Sequence, residues 1–325
     1  MTRTTQYFTA LSICGLVTML HYAILHPALD AAGEMLRGPQ CFQQPGVTRY
    51  PILPGWLNQL CCMLNVYFMT AYSNPDTRLV TADFGAFIIC GTFISTYETF
   101  RPRSGWGSRL AAPFMALGQL ATWAAAIPAY LAIDNSARPP AGTPNRPRPE
   151  GAWTALLATT LGLALPSVYL EVTHWSYLAL ALWQPFPLYI VALSVLLPPL
   201  LRTFGPYTPT VPIALVTLLG AAASIYARTA LITGTDSSLA ELFLVTNRPA
   251  SSDLAYAARL LFTLDYAFSV LAIASRVILD SPLGVAVALV TVLLSAVTVG
   301  PGAGVITLWA YQELTAGSVV AHKNE

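Results

Sequence analysis

The sequence predicts an all-α fold, a single polytopic membrane domain of eight to nine transmembrane helices over residues 1–325. Three observations predict it. Only 10% of the residues are charged and 55% are hydrophobic, whereas a soluble domain carries about 25% charged residues. The apolar residues fall in long blocks, and a helix needs about 20 of them to cross the hydrocarbon core. Between the blocks lie short Pro- and Gly-rich stretches that end helices.

The first block, roughly 7–29, reads YFTALSICGLVTMLHYAILHPAL. It is longer than a signal-peptide core and follows one arginine, so it is expected to stay as a helix. Further spans are expected at roughly 56–73, 79–98, 110–133, 152–172, 177–200, 211–232, 257–279 and 283–312. SNPD (73–76), RPRSGWG (101–107) and RTFGPYTP (202–209) supply turns between them. DNSARPPAGTPNRPRPEG, 134–151, reads as an exposed irregular loop. The connection at about 233–256 contains LAELFLV, expected as a short interfacial helix.

Two spans carry breaks. Pro185 and Pro187 predict a kink in the sixth. GPGAG at 300–304 interrupts the last block. Freed backbone groups at membrane depth are tolerated where protein packs on them or a cavity is lined. GPGAG lacks the strand–helix setting and following Lys-Ser/Thr of a phosphate loop. No internal repeat supports an inverted-repeat transporter.

The net charge of +1 suggests no nucleic-acid partner. Of five cysteines only Cys41 lies outside an apolar block. The others read as small buried hydrophobes, and no spacing suggests zinc. Seven basic residues fall on the N-terminal side and nine on the other, too even to assign the cytoplasmic face.

Counting nine spans from the N-terminal side places the intramembrane polar residues. Glu98, Glu171, Asp265, Arg101, Arg228 and His174 all fall in the half opposite the N-terminus. Asp83 falls near the N-terminal side. The placement depends on the count, because one helix more or less swaps sides for all that follows. Ionisable residues inside a membrane are costly and point to function by default. Each also has a plainer reading. Glu98 and Arg101, three apart at a helix end, can be an interfacial neighbour pair. Glu171 and His174 repeat that spacing. Asp265 sits in LFTLDYAFSVLAIAS with no local partner, the hardest to explain as interfacial. Asp83 starts a helix, where a carboxylate suits the dipole. His21 and His26 flank the end of the first span and read as interfacial. Most Trp and Tyr residues fit an interfacial belt. Gln119, Trp123, Trp183, Tyr189 and Tyr266 are the better candidates for lining a pocket.

Missing motifs narrow the chemistry. No NDxxD-type aspartate pair supports magnesium-dependent diphosphate ionisation, no histidine cluster a di-iron desaturase, and no HExxH a metalloprotease. The histidine signature of a membrane O-acyltransferase is not visible. What remains is carboxylates, a few arginines and aromatic rings in an apolar bundle. A buried carboxylic acid can protonate an alkene or epoxide. Aromatic faces can stabilise the cation that forms, and an apolar pocket can fold a prenyl chain away from water. Such chemistry needs no cofactor and no metal.

The size, the multi-span layout and the TYETFRPR helix end resemble fungal membrane-bound terpene cyclases of the ascofuranone and macrophorin type. The resemblance implies cyclisation of a farnesyl or epoxyfarnesyl chain on a meroterpenoid precursor in secondary metabolism. It implies an endoplasmic-reticulum membrane setting, a lipid-soluble substrate, and an upstream prenyltransferase and epoxidase as pathway partners. The seven-span meroterpenoid cyclases share the acid chemistry but are smaller. On this reading Glu98, Asp265 and Glu171 are the candidate acid and base. Arg101, Arg228, His174, Gln119, Trp123, Trp183 and Tyr266 are the candidate substrate contacts. Two rivals stand beside it: a transporter or sensor using the same carboxylates for a proton or cation, and a structural membrane subunit with interfacial charges only.

Overall fold

The computed structural model describes residues 2–25, 39–43, 49, 53–101, 111–120, 122–136, 147–148, 150–203, 208–243 and 254–321. Arg103, Arg109, His26 and most of the 134–151 loop lie outside the described residues. Within them, all regular structure is helical.

The central helix is α3 (Pro75–Glu98), preceded by α1 (Arg3–Leu25) and α2 (Gly55–Ser73). The SNPD breaker becomes the start of α3. Asn74 accepts the Thr77 N–H at 3.0 Å, and Pro75 fills the first helical position, where no N–H is needed. From Val80 to Tyr97 the helix is buried on most faces, so its lack of any polar stripe reflects a core position rather than a lipid-facing one. Against it pack α2, α6 (Gly151–Val172), α9 (Thr210–Thr233), α11 (Leu254–Leu279) and α13 (Pro301–Ala321).

By length and composition, α3, α6, α9 and α11 can cross a membrane. The pair α7 (Tyr177–Trp183) and α8 (Phe186–Arg202), bent by 43° at the Pro185 junction, makes a fifth. The bend agrees with the proline-based expectation. The four or five helices fall short of the eight to nine expected, and two of the expected spans are not single helices.

The first of these, 110–133, is a hairpin of α4 (Ala111–Leu120) and α5 (Trp123–Ser136). The Phe114 and Tyr130 rings meet across it at 6.3 Å. The second, 283–312, is a hairpin of α12 (Val285–Thr298) and α13, broken at GPGAG. Gly300 turns the chain with φ +92°, a conformation open to glycine, and an added Cβ would sit 2.4 Å from Ser224 Oγ. Four residues on, Gly304 lets α13 touch Ser295 of α12. Both α5 and α12 have 14 residues, about 21 Å of helix, short of the roughly 30 Å core. Each hairpin enters and leaves by the end of the bundle that holds Glu98.

This changes the sidedness. With 110–133 returning to the end it left, everything after it lies opposite to the simple count. The structure puts Glu171 beside Arg78 at the start of α3, not beside Glu98 at its end. The N-terminus also moves: Thr5 Oγ1 accepts from Asn135 Nδ2 at 2.8 Å, so α1 begins at the Glu98 end.

Two further elements matter for position. α10 (Leu239–Phe243) is the short helix expected in LAELFLV. Ser238 and Glu241 form a reciprocal cap, with the Ser238 N–H donating to Glu241 at 2.8 Å and the Glu241 N–H to Ser238 at 3.2 Å. A disulfide joins Cys41 to Cys62, correcting the reading of Cys62 as a free buried thiol.

Candidate functional site

The last turn of α3 ends at Glu98, and the chain reverses so that Arg101 folds back on it. Arg101 Nε donates to Glu98 Oε1 at 2.8 Å. On its other side the guanidinium pairs with Glu313 of α13. Glu313 also accepts from the Tyr97 hydroxyl at 3.0 Å. The side chains of Arg101, Glu98 and Glu313 are 12%, 13% and 15% exposed. One guanidinium thus holds two carboxylates in a largely dry setting, and one further proton would make the cluster neutral.

These groups line a cavity of about 510 Å³ at the Glu98 end, well inside the range for small-molecule sites. Across from them lies a second ion cluster. Arg276 of α11 meets Asp134 of α5 at 3.4 Å and Asp280 at 3.1 Å. Tyr130, Trp309 and Tyr311 supply aromatic wall, and Ile94, Leu131, Ile273 and Val277 the apolar wall. The buried indole N–H of Trp309 has no partner among the described residues. Trp309 also stacks edge-on with Phe93 and Tyr97, at 5.4 and 5.0 Å, which fixes its plane. The same end is latched by Glu150, which accepts from Arg202 Nε at 2.7 Å. Burial pushes the Glu150 carboxyl up, but its own backbone N–H and Arg202 more than offset that and hold it below the usual range.

The other candidates are dispersed. Asp265 accepts from the Thr122 hydroxyl at 2.8 Å and from the Ala124 N–H. It therefore caps the N-terminus of α5 from a neighbouring helix, at the tip of the first hairpin. It lies 11 residues from Arg276 on α11, about 16 Å along the helix from the cavity. Glu171 and His174 are exposed at the far end. Glu171 accepts from Trp175 Nε1 at 2.9 Å and lies 3.9 Å from Arg78. His174, at φ 50°, makes the left-handed turn that ends α6. On α3, Arg78 and Glu98 are 20 residues apart, about 30 Å. So the expected convergence of Glu98, Glu171 and Asp265 does not occur.

Arg228 and Tyr266 meet Asp83, the residue expected on the other side. Arg228 Nη2 lies 2.8 Å and Tyr266 OH 2.7 Å from Asp83 Oδ2. Trp123 and Trp183 belong to an aromatic row, each against Phe186 at 6.1 and 5.2 Å. Neither they nor Gln119 line the cavity.

Sequence reasoning missed Asp134, Arg276 and Asp280 as site residues. The available signal was that Asp134 and Arg276 each end an apolar block on a charge. Glu313 was expected at the Glu98 end, and the structure places it there. Among the described residues no cluster of three His, Cys, Asp or Glu is placed to hold a metal.

No curated protein and no solved structure matches the chain. A family model does: residues 12–233 match the CtvD domain, a stretch that includes Glu98, Arg101 and Asp134 and ends before Asp265 and Glu313. That stretch is more than half of the 325 residues, and the chain belongs to the CtvD-domain family, which is related to fungal terpene cyclases.

Proposed function

We propose that the chain is a terpene cyclase that starts ring closure by protonating a prenyl chain on a meroterpenoid precursor, with an epoxyfarnesyl group as the favoured substrate. The observation that carries this reading is the pair Glu98 and Glu313 held on one guanidinium in a cavity walled by Tyr130 and Trp309. One carboxyl of the pair gives its proton to the epoxide oxygen. The carbon–oxygen bond breaks and leaves a hydroxyl and a tertiary cation. Alkene π-electrons close the rings in turn. The last cation loses a proton to a carboxylate of the same cavity, so the acid is restored and the reaction is an isomerisation with no redox change.

Trp309 and Tyr130 present π-faces to a passing cation. Arg101 keeps the two carboxylates together and limits their ionisation to what one guanidinium can balance. Arg276, between Asp134 and Asp280, suits the oxygenated head of the precursor. Asp265 acts in this scheme as a positioning residue through the hairpin tip it caps. Glu171 and His174 have no part in it. An endoplasmic-reticulum membrane and upstream prenyltransferase and epoxidase enzymes belong to the same proposal. Family membership does not favour the transporter or sensor alternative.

Microsomes containing the chain, fed an epoxyfarnesylated phenol or pyrone, test it by product analysis. A cyclised isomer of unchanged mass is expected from the wild type and not from Glu98→Gln or Glu313→Gln. Full activity in both variants would sink the assignment.

A further inference from the structure

Asp83, Arg228 and Tyr266 form a second buried polar network, away from the Glu98 cavity. Asp83 lies eight residues from the start of α3, about 12 Å along the helix. Its Oδ2 takes both the Arg228 and the Tyr266 bonds. Asp83 and Arg228 are 1% and 4% exposed. Yet two of their polar atoms, Asp83 Oδ1 and Arg228 Nε, have no partner among the described residues. A guanidinium has five N–H donors, and an unmet donor at membrane depth is costly.

Beside this network lies a cleft of about 300 Å³. Arg228 and Tyr266 form its polar floor, and Phe243, Val270, Val297 and Pro301 are among its apolar walls. Ala267 and Val297 are exposed, so the cleft opens on the lipid-facing side of the bundle. The tip of the second hairpin closes its inner end: an added Cβ on Gly300 would lie 3.2 Å from Asp83 Oδ1. A lone water would need two to four polar partners, and it would leave most of such a space unfilled.

We propose that this cleft binds an uncharged lipid bearing one oxygen function, an alcohol, carbonyl or epoxide. The oxygen accepts from Arg228, and the hydrocarbon part lies along Phe243, Val270 and Val297 with its remainder in the bilayer. Charge excludes other classes. An anion would face Asp83, a cation would face Arg228, and the ion pair already balances itself. The inference does not depend on the chemistry at Glu98.

Photoaffinity labelling in nanodiscs tests it, with three diazirine probes: farnesol, its oxygen-free hydrocarbon analogue, and a sterol. At least one of the two alcohols is expected to label peptides containing Phe243, Val270 or Val297 at least tenfold more than the hydrocarbon does. Which alcohol labels distinguishes a prenyl ligand from a membrane sterol. Ala296→Trp, which fills the cleft without touching the ion pair, is expected to cut that labelling about tenfold. Val287→Trp, lipid-exposed on the same helix but outside the cleft, is expected to leave it unchanged. The paired change Asp83→Asn with Arg228→Met removes both charges together and is expected to erase the preference for the alcohol. Equal labelling by the hydrocarbon and both alcohols, or no loss in Ala296→Trp, would overturn the proposal. The Ala296→Trp arm decides even if the paired variant fails to fold.

Discussion

The two ends of α3 each carry an Arg–Glu contact, and they are not equivalent. At the far end Arg78 faces Glu171 across 3.9 Å, with side chains 49% and 44% exposed. At the near end Arg101 holds Glu98 and Glu313, all at 15% exposure or less. In sequence the motifs look alike, an acid followed three residues on by a base or a histidine. Burial and the second carboxylate separate them. An exposed pair is screened and contributes at most about 1 kcal/mol. A buried cluster is a fixed commitment, because removing its cation strands two charges.

The strongest way to break this contrast is to remove each arginine. Arg101→Met is expected to destabilise the protein by about 3–5 kcal/mol and abolish product. Arg78→Met should cost at most about 1 kcal/mol and leave product formation intact. Thermal unfolding in detergent, read alongside product yield, measures both. If the two variants unfold alike, the ends are equivalent after all.

The next effect is on chemistry alone. Glu98→Gln and Glu313→Gln should lower turnover by roughly 10²–10⁴-fold, the range of general acid catalysis, while Glu171→Gln changes it less than twofold. Rates in microsomes at saturating precursor make the comparison.

Asp265 gives a smaller and more diagnostic test. As the cap of α5, Asp265→Ala should cost about 1–2 kcal/mol, and Asp265→Asn much less, because Asn caps nearly as well. A stable Asp265→Asn protein with no turnover would return Asp265 to the catalytic list.

The smallest effect is electrostatic and concerns the latch between Glu150 and Arg202. The Glu150 carboxyl is held below its usual range in the fold. Its contribution is therefore fully present above the unfolded value of about 4.3 and is lost as pH falls through the folded one. Unfolding temperature should drop more steeply on acidification in the wild type than in Glu150→Gln. Parallel curves would show that the latch adds nothing.

Much of this was legible in the sequence, and the failures have identifiable causes. Composition marked a helical membrane protein. The prolines marked the 43° bend, and GPGAG marked the second hairpin. The first hairpin was hidden. Its turn, around Thr122, has neither Gly nor Pro, and the break is held by Asp265 from another helix. A signal made by tertiary contact leaves no local trace. That single omission inverted the sides of all later residues, sending Arg228 away from Asp83 and Glu171 towards Glu98. Glu313 escaped because the second hairpin inverted the count again. The Cys41–Cys62 bridge was equally silent, since adjacent Cys61 and Cys62 offer the same spacing to a distant thiol.

The two hairpins carry a consequence for handling the molecule. Because each returns to the face it left, the polypeptide's first helix and its last share one compartment. Thr5 sits by Asn135 and Glu313 by Arg101, all on that face. A reporter fused ahead of α1 and another behind α13 should therefore give the same signal, whether both are shielded from added protease or both are cut.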